Sequence, residues 1–552
     1  MRTRTDICRG GGEKVAEMGR KLTTVFNLLF LILFLPVILC IGLVGNGMDY
    51  YDGMKLTTLL PNQVLFGMAL AGVCFCVFLF WISRKMPMGR NGIVNGILAL
   101  LFLLLYFVNV RVAGEIAFLV PWDIMVVRKI AYDIANRIEI GYFSYLSMYS
   151  NNIPISYILG MLLRKAGEME GYSHEAEFIW LQTGCALVSL GGMFSCLTVK
   201  KVTKKPVAVA VAFLVYLVLV GMSPWKIVPY TDIYGIVFPV MGVYFYVCRR
   251  MTDKTFLKYF YMGMAIAAAV AGGFIKPSVY IVLIGIFVME FLHFRRNWRL
   301  IVAEFLLAAG LLLASEAFKS HIIGEIGLDF NPEVEASWQN YFYMGLNEDT
   351  TGGYNSEDAS IFGEFQTSKR ERNEAALERA GERLKERGLL GTLYFWLRKM
   401  VMTFNDGIFG WASEVWIGGE FPEDTASHTP WTQRLRDIFW PGGSNMGGHR
   451  TLCQLTWIFC ILGIPGLCIC AGKLREDYGI FVICCLGIFL YQMLFEARAR
   501  YLLVFLPLLI TAAVCGVEGY CARAGDFIQR KVAASGRIAD IFNKYNRKGT
   551  GV

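Results

Sequence analysis

Charged residues are scarce in this sequence, and their scarcity excludes an ordinary soluble domain. Asp, Glu, Lys and Arg make up 18% of the 552 residues, whereas a soluble protein carries about a quarter. Hydrophobic residues make up 55%, and the mean hydropathy is +0.48. Apolar runs close to the ~20 residues that cross a bilayer recur from end to end. The composition therefore predicts an all-α polytopic membrane protein.

Motifs for soluble nucleotides and for metals are also missing. The sequence contains no P-loop, no GxGxxG, no HExxH and no CxxC pair. Its five histidines are scattered without metal-ligand spacing, at His174, His293, His321, His428 and His449. A divalent cation therefore has no support from ligand spacing, and no cofactor is predicted. An enzyme built on this chain would need a donor that already lies in the membrane.

The apolar runs predict twelve membrane spans and two doubtful pieces. The doubtful pieces are residues 152–163 and 389–403. The predicted spans are 22–44, 63–83, 93–111, 177–198, 207–222, 233–248, 258–275, 277–294, 299–318, 452–470, 479–494 and 501–517.

Basic clusters between the apolar runs set the predicted orientation. They all fall on the cytoplasmic side only if 152–163 does not cross the membrane. Arg398 and Lys399 in mid-run place 389–403 at the interface. The first helix has no cleavage site and is expected to be retained. Twelve spans with these clusters on the cytoplasmic side predict that both termini are cytoplasmic. The net charge of +9 comes from these clusters, so no nucleic-acid partner is expected.

This orientation divides the chain into four predicted regions. Most unusual polar residues fall in the outward loops, above all 112–176 and 319–451. The regions are a cytoplasmic tail with two extra spans (1–92), a transmembrane core with its outer loop 112–176 (93–318), a large extracytoplasmic region (319–451), and the last spans with a basic tail (452–552).

Asp123, in "VPWDIMVV", is the first candidate for chemistry. An Asp directly after Pro-Trp and before an amphipathic stretch is a good helix N-cap. Capping does not exclude catalysis, so both interpretations stay open. Arg128 lies on the same predicted helix, whose basic surface suits an anionic lipid headgroup. Asp133 lies ten residues further on, too far along a helix to share the site of Asp123.

Four other outward segments carry unusual polar residues. Lys276 lies in the break "GGFIKPSVY" between two short apolar runs, where a buried charge needs a partner such as phosphate. Tyrosines at a membrane interface and snorkelling arginines are the alternatives to binding roles. The remaining candidates are Tyr149, Asn151, Asn152, Tyr230, Asp232, Glu496, Arg498 and Arg500.

Together these motifs resemble the GT-C class of integral membrane glycosyltransferases, in particular its protein mannosyltransferase and aminoarabinose transferase branch. The resemblance covers roughly residues 110 to 507. It rests on the order of "PWDIMVVRKIAYDIA", "YFSYLSMYSNNIP", "PYTD", "GGFIKPS", "YFYMGLNEDTTGGYNSED" and "EARARYLLVFLP". Ser150 stands where that class usually has proline. Two extra spans come first, and no second acidic residue neighbours Asp123.

The resemblance implies a GT-C-like fold and a polyprenyl-phosphate-linked sugar as donor. Asp123 would be the catalytic base, and Lys276, Arg498, Arg500 and Arg128 would bind the donor phosphate. Substrate would contact Tyr149, Asn151, Asn152, Tyr230, Asp232, Asn347 and Glu496. The acceptor would be an extracytoplasmic glycan, lipid or protein of the cell envelope, reached from the outer face of a bacterial plasma membrane.

Two other functions fit the sequence. A transporter or flippase would require internal repeats and charges along a central path, and the sequence has no convincing repeat. A polysaccharide polymerase or ligase would use arginines and a histidine of one large outer loop and would not require Asp123.

Overall fold

A computed structural model of the chain describes residues 4–44, 58–86, 88–89, 91–118, 120, 122–166, 174–292, 298–415, 429–470 and 473–548. Within these residues, all regular secondary structure is helical. Most of the predicted outward loop 45–62 lies outside the described residues. Pro121, His293, His428 and two basic residues between predicted spans, Arg295 and Arg296, lie outside them as well.

Twenty-three α-helices make up the described chain. The first thirteen are α1 (Arg4–Leu43), α2 (Asn62–Ile82), α3 (Asn91–Ile116), α4 (Asp123–Asn136), α5 (Phe143–Met148), α6 (Ile153–Ala166), α7 (His174–Thr203), α8 (Pro206–Tyr216), α9 (Thr231–Gly235), α10 (Val237–Arg250), α11 (Thr255–Ile275), α12 (Tyr280–Leu292) and α13 (Trp298–Glu325). The others are α14 (Trp338–Met344), α15 (Ser356–Ala359), α16 (Ile361–Glu364), α17 (Lys369–Phe404), α18 (Trp411–Val415), α19 (Pro430–Phe439), α20 (Met446–Gly463), α21 (Gly466–Ile469), α22 (Lys473–Leu494) and α23 (Leu506–Lys548).

The predicted membrane architecture is confirmed. Among the described residues, nine helical segments are long and apolar enough to cross a bilayer, and three shorter apolar helices cover 206–221, 277–292 and 478–494. Each predicted span coincides with one of these twelve. Several helices run beyond the apolar run: α1 begins at Arg4, and α13 continues to Glu325. Hydropathy indicates only the part of a helix that lies in lipid. The helix extends into water for as long as its backbone hydrogen bonds are maintained.

Helices α3 and α7 run antiparallel, which locates everything between them. At one end, a Cβ on Gly114 would lie 3.4 Å from Phe178. At the other end, the Lys200 ammonium donates to Asn95 at 2.6 Å. The segment from α4 to α6 therefore leaves and returns to the same face. Helix α6 does not cross the bundle, in agreement with the orientation argument for 152–163.

Charged side chains lie at both ends of the bundle. Lys276, where α11 ends, pairs with Asp232, where α9 begins, and we call this end the site face. At the far end of α10 and α12, Arg249 pairs with Glu290 at 2.6 Å and with Glu304 of α13 at 2.7 Å. This second end, the basic face, also holds the Lys205–Glu518 pair.

Helix α17 changes direction and character at Gly388. The residue has φ 63° and ψ −179°, a conformation that essentially only glycine adopts. Before it the helix is rich in charge. After it Leu389, Leu390 and Tyr394 are at least 64% exposed, while Lys399 is fully buried. The segment 389–403 is thus an amphipathic half-helix, as the prediction of an interfacial location requires.

Replacing Gly388 by alanine is expected to destabilise the protein by about 1–3 kcal/mol. No atom lies within 4 Å of the position that a Cβ would take, so the cost comes from the backbone conformation alone. Gly381→Ala, in the same helix and equally unobstructed, is the control and should stabilise by up to about 1 kcal/mol. Thermal unfolding in detergent measures both. Equal shifts of the same sign would contradict the prediction.

Candidate active site

Asp123 is the first residue of α4 and lies at the site face. Trp122 holds the N-cap position without a side-chain capping bond, so the prediction that Asp123 caps the helix is wrong. Its carboxylate is exposed and forms no hydrogen bond or ion pair with the described part of the chain. The positive end of the helix dipole still favours a negative charge there. Asp123 is therefore available to an external group.

Asp232 and Lys276 form a buried ion pair nearby. The Lys276 ammonium donates to Asp232 Oδ1 and lies 5.0 Å from the centre of the Tyr501 ring. Burial lowers the pKa of Lys276, and Asp232 opposes that shift. The sequence predicts that Lys276 needs a charged partner, and in the structure this partner is the Asp232 carboxylate.

Two arginines from the start of the last span lie beside this pair. Arg500 Nη1 is 2.8 Å from Glu414 Oε2, and its Nε is 3.8 Å from Asp232 Oδ2. Arg498 Nη1 lies 3.9 Å from Glu414 Oε1. Both arginine side chains are at most 13% exposed, so neither snorkels to water.

The Arg500 guanidinium joins this charged cluster to Asp123. It lies 4.0 Å from the centre of the Trp122 ring, in the residue that precedes Asp123. The Trp122 ring in turn contacts the Tyr230 ring edge-on at 5.3 Å. A guanidinium over an indole is the strongest common cation–π arrangement. It fixes the start of α4 against the start of the last span.

A hydrogen-bonded group of tyrosine and asparagine lines the other side of Asp123. Asn152 donates to the Tyr145 hydroxyl at 2.7 Å and accepts from the Tyr230 hydroxyl at 3.1 Å. Asn151 donates to Asn152 at 3.3 Å. The Tyr149 ring packs against the Tyr145 ring at a tilt of 53°, with ring centres 5.2 Å apart. These tyrosines pack in the protein rather than forming a headgroup belt.

The negative charge on Asp123 raises the pKa of these tyrosine hydroxyls. Burial raises the pKa of Tyr145, Tyr149 and Tyr230 above the ordinary value, and the nearby Asp123 carboxylate raises it further. The three hydroxyls therefore stay protonated at neutral pH. The Tyr230 hydroxyl donates its proton to Asn152, and the Tyr145 hydroxyl, which accepts from Asn152, keeps its own proton for a bound ligand.

Loops 341–353 and 495–497 close the site from the extramembrane side. The Glu496 amide donates to Tyr341 O and the Ala497 amide to Gly352 O, both at 2.9 Å. Lys399 lies beneath them and donates to the carbonyls of Gly345 and Phe495, at 2.6 and 2.7 Å.

Glu496 turns its side chain toward the cluster. It accepts from the Tyr501 hydroxyl at 2.5 Å. The residue thus links the closing loops to the ring that lies beneath the Lys276 ammonium.

The side chains of two predicted site residues bond away from the charged cluster. Arg128 pairs with Glu177 and borders a cavity of about 60 Å³ between α3, α4 and α7. Five positions along α4 turn it away from the face of Asp123. Asn347 is buried and bonds to Asp358 and Thr350, so it holds its own loop together. The structure brings the other predicted residues to one region.

Sequence reasoning missed Glu414 and did not assign Lys399 to the site. Glu414 stands in "FGWASEVW", where a single acidic residue among aromatic residues was the available signal. Lys399 was noticed only as a charge within an apolar run. Among the described residues, no group of three or more His, Cys, Asp or Glu could hold a metal ion.

Comparison with known proteins identifies the chain at the level of a family. A family model described as a conserved hypothetical integral membrane protein matches residues 15–519. No curated protein and no solved structure matches the chain.

Proposed function

The chain belongs to this family of conserved hypothetical integral membrane proteins, and we propose that it is a membrane glycosyltransferase. It would move a sugar from a polyprenyl-phosphate donor to an acceptor of the cell envelope. In this proposal Asp123 is the general base, and Lys276, Arg498 and Arg500 bind the donor phosphate. The tyrosine and asparagine group around Asn152 would position the sugar and the acceptor.

One observation carries the proposal: the Arg500 guanidinium lies 4.0 Å from the Trp122 ring, directly before the exposed Asp123. The contact packs the start of α4, where the Asp123 carboxylate is exposed, against one cation of the cluster that also holds Lys276 and Arg498. A base on one side and fixed positive charge on the other is what displacement of a phosphate leaving group needs.

The proposed reaction is a single displacement with inversion. The acceptor hydroxyl oxygen bonds to the anomeric carbon as the bond from that carbon to the phosphate oxygen breaks. The bonding electron pair leaves with the phosphate, and the hydroxyl proton moves to Asp123. Lys276 and Arg500 would stabilise the charge that develops on the phosphate. Asp123 as base would contribute about 10²–10⁴-fold in rate.

The proposed location is a bacterial plasma membrane, with the site face outside and both termini cytoplasmic. The ion pairs Arg249–Glu290 and Lys205–Glu518 support this orientation. They lie at the end of the bundle opposite the Lys276–Asp232 pair. Positive residues concentrate in cytoplasmic loops.

Asp123→Asn in the native host tests the proposal. Mass spectrometry would compare polyprenyl-phosphate sugars and envelope glycans with those of wild type, at equal membrane levels of the protein. We expect transfer to fall by about 10²–10⁴-fold, so that one envelope sugar is lost and its lipid donor accumulates.

The matched control is Asp133→Asn on the same helix. Asp133 accepts from the Gly141 amide at 3.2 Å, which asparagine also allows, so the glycans should stay at wild-type levels. Unchanged glycans in stable Asp123→Asn protein would contradict the proposal and favour a transporter or a polymerase.

A further inference from the structure

The proposed phosphate-binding cations already face carboxylates of their own chain. Lys276 pairs with Asp232, Arg500 with Asp232 and Glu414, and Arg498 with Glu414. A donor phosphate that enters this site must therefore compete with an internal anion. Which carboxylate gives way depends on how each one is held.

Asp232 is the more firmly placed of the two. It lies in the first turn of α9, with the Lys276 ammonium on one oxygen and Arg500 Nε 3.8 Å from the other. It belongs to the transmembrane bundle. Its charge offsets Lys276 whether or not a ligand is bound.

Glu414 comes from outside the bundle. It lies on α18, a single turn in the extramembrane region, whose Trp411 ring packs against Trp225 at 5.3 Å and whose Trp411 indole donates to Phe439 O at 2.7 Å. The only charged groups within ion-pair distance of Glu414 in the described chain are Arg498 and Arg500. Its carboxylate is thus held by the cations that the donor needs.

The geometry of this contact suits an anion of another kind. A carboxylate oxygen 2.8 Å from Arg500 Nη1 and another 3.9 Å from Arg498 Nη1 occupy the position where two oxygens of a phosphate would bind two guanidinium groups. Arg500 Nε and Asp232 Oδ2 are buried and have no hydrogen-bond partner among the described residues. The guanidinium therefore retains a donor for a further oxygen.

We propose that Glu414 is an internal stand-in for the donor phosphate, so that lipid-linked phosphodiesters bind by displacing its carboxylate from Arg498 and Arg500. This inference rests on the proposed function for the identity of the ligand. Glu414 is a positioning and gating residue here, and no bond of the substrate is formed or broken on it. Until the donor binds, the Glu414 carboxylate neutralises the two arginines and so avoids the free-energy cost of unpaired buried charge.

Protonation offers a second way to release the arginines. Burial raises the pKa of Glu414 above the usual range, against the opposing effect of Arg500 and Arg498. Asp232 and Glu496 face it as well and raise its pKa further, and Lys276 lies close enough to interact with it. Neutral Glu414 releases Arg498 and Arg500, so phosphodiester binding should tighten as the pH falls.

The experiment compares wild type with Glu414→Gln, using the full-length protein in lipid nanodiscs. The probe is methyl farnesyl phosphate, a phosphodiester with no second proton to lose near neutral pH. Isothermal titration calorimetry should show at least about tenfold tighter binding to Glu414→Gln, because a competing internal anion lowers the fraction of competent sites. Wild-type binding should tighten as the pH falls, because protonation of Glu414 removes the competing charge, and binding to Glu414→Gln should not.

Two control variants make the result specific. Glu374→Gln removes a carboxylate from the exposed Arg370–Glu374 pair and should bind the probe as wild type does. Asp133→Asn, on α4 and bonded to the Gly141 amide outside the cluster, should also leave probe binding unchanged. Loss of sugar transfer in Asp123→Asn and tight binding in Glu414→Gln are therefore separate results, and either one can fail alone.

Equal or weaker binding by folded Glu414→Gln would overturn the inference, and so would the absence of probe binding by both proteins. If Glu414→Gln does not fold, Glu414→Ala is measured in its place and should also bind the probe at least about tenfold more tightly than wild type. Binding no tighter than that of wild type would overturn the inference.

Discussion

Replacing Arg500 by glutamine is expected to destabilise the protein by about 3–5 kcal/mol. The change leaves Glu414 with only Arg498 at 3.9 Å and removes one of the two cations beside Asp232. Arg500 faces Glu414 at 2.8 Å and Asp232 at 3.8 Å, and its side chain is 7% exposed. The variant also loses the contact with the Trp122 ring that positions Asp123. Unfolding in mixed detergent micelles measures the free energy. Sugar transfer should be lost in the protein that remains folded.

A control and a rescue identify the cause of this loss. Arg370→Gln breaks an exposed ion pair with Glu374 and should cost less than about 1 kcal/mol. Adding Glu414→Gln to Arg500→Gln removes one uncompensated charge and should restore at least about 1 kcal/mol. A double variant no more stable than Arg500→Gln alone would show that the charge on Glu414 is not the source of the cost.

Replacing Lys399 by methionine is expected to change how stability depends on pH. Lys399 is fully buried, and its ammonium donates to the carbonyls of Gly345 and Phe495. Burial lowers its pKa from 10.5 to about 7, despite the nearby Glu496, and Arg387 lowers it slightly further. The folded state therefore binds fewer protons at this residue than the unfolded chain does between these two values.

The sign follows from linkage. Stability rises with pH wherever the unfolded state binds more protons, so Lys399 contributes a rise of up to about 1.4 kcal/mol per pH unit above pH 7. From about pH 7.5 to about pH 9, the free energy of unfolding of wild type should rise by about 2 kcal/mol relative to that of Lys399→Met. Lys385→Met, which removes an exposed lysine of the same helix, should follow wild type. Parallel curves for wild type and Lys399→Met would contradict the prediction.

The membrane fold was predictable from the sequence because the bilayer imposes length and polarity on each helix separately. Twelve apolar runs correspond to twelve helices, and the break at Lys276 separates α11 from α12 as predicted. The sequence could not show where helices end beyond the lipid, as with α1 and α13. Past the lipid boundary, helix length depends on backbone bonds and neighbours rather than on hydropathy.

The candidate site was predictable only in part. Asp123, Asp232, Lys276, Arg498 and Arg500 share one face because they lie in loops at the same end of the spans. Topology alone implies this. Arg128 pairs with Glu177 instead, because residues close together on one helix can face opposite ways. Asn347 bonds to Asp358 instead, because a polar loop residue often bonds within its own loop.

The sequence by itself determined that this chain crosses a membrane many times and which loops share a face, since both follow from hydropathy and charge read locally. Only the tertiary structure decided how the charges of that face are partnered. Lys276 meets Asp232, Glu414 lies against Arg498 and Arg500, and Lys399 meets two backbone carbonyls. These contacts join residues from 44 to 96 positions apart, and such partners are selected by packing in three dimensions rather than by any local pattern.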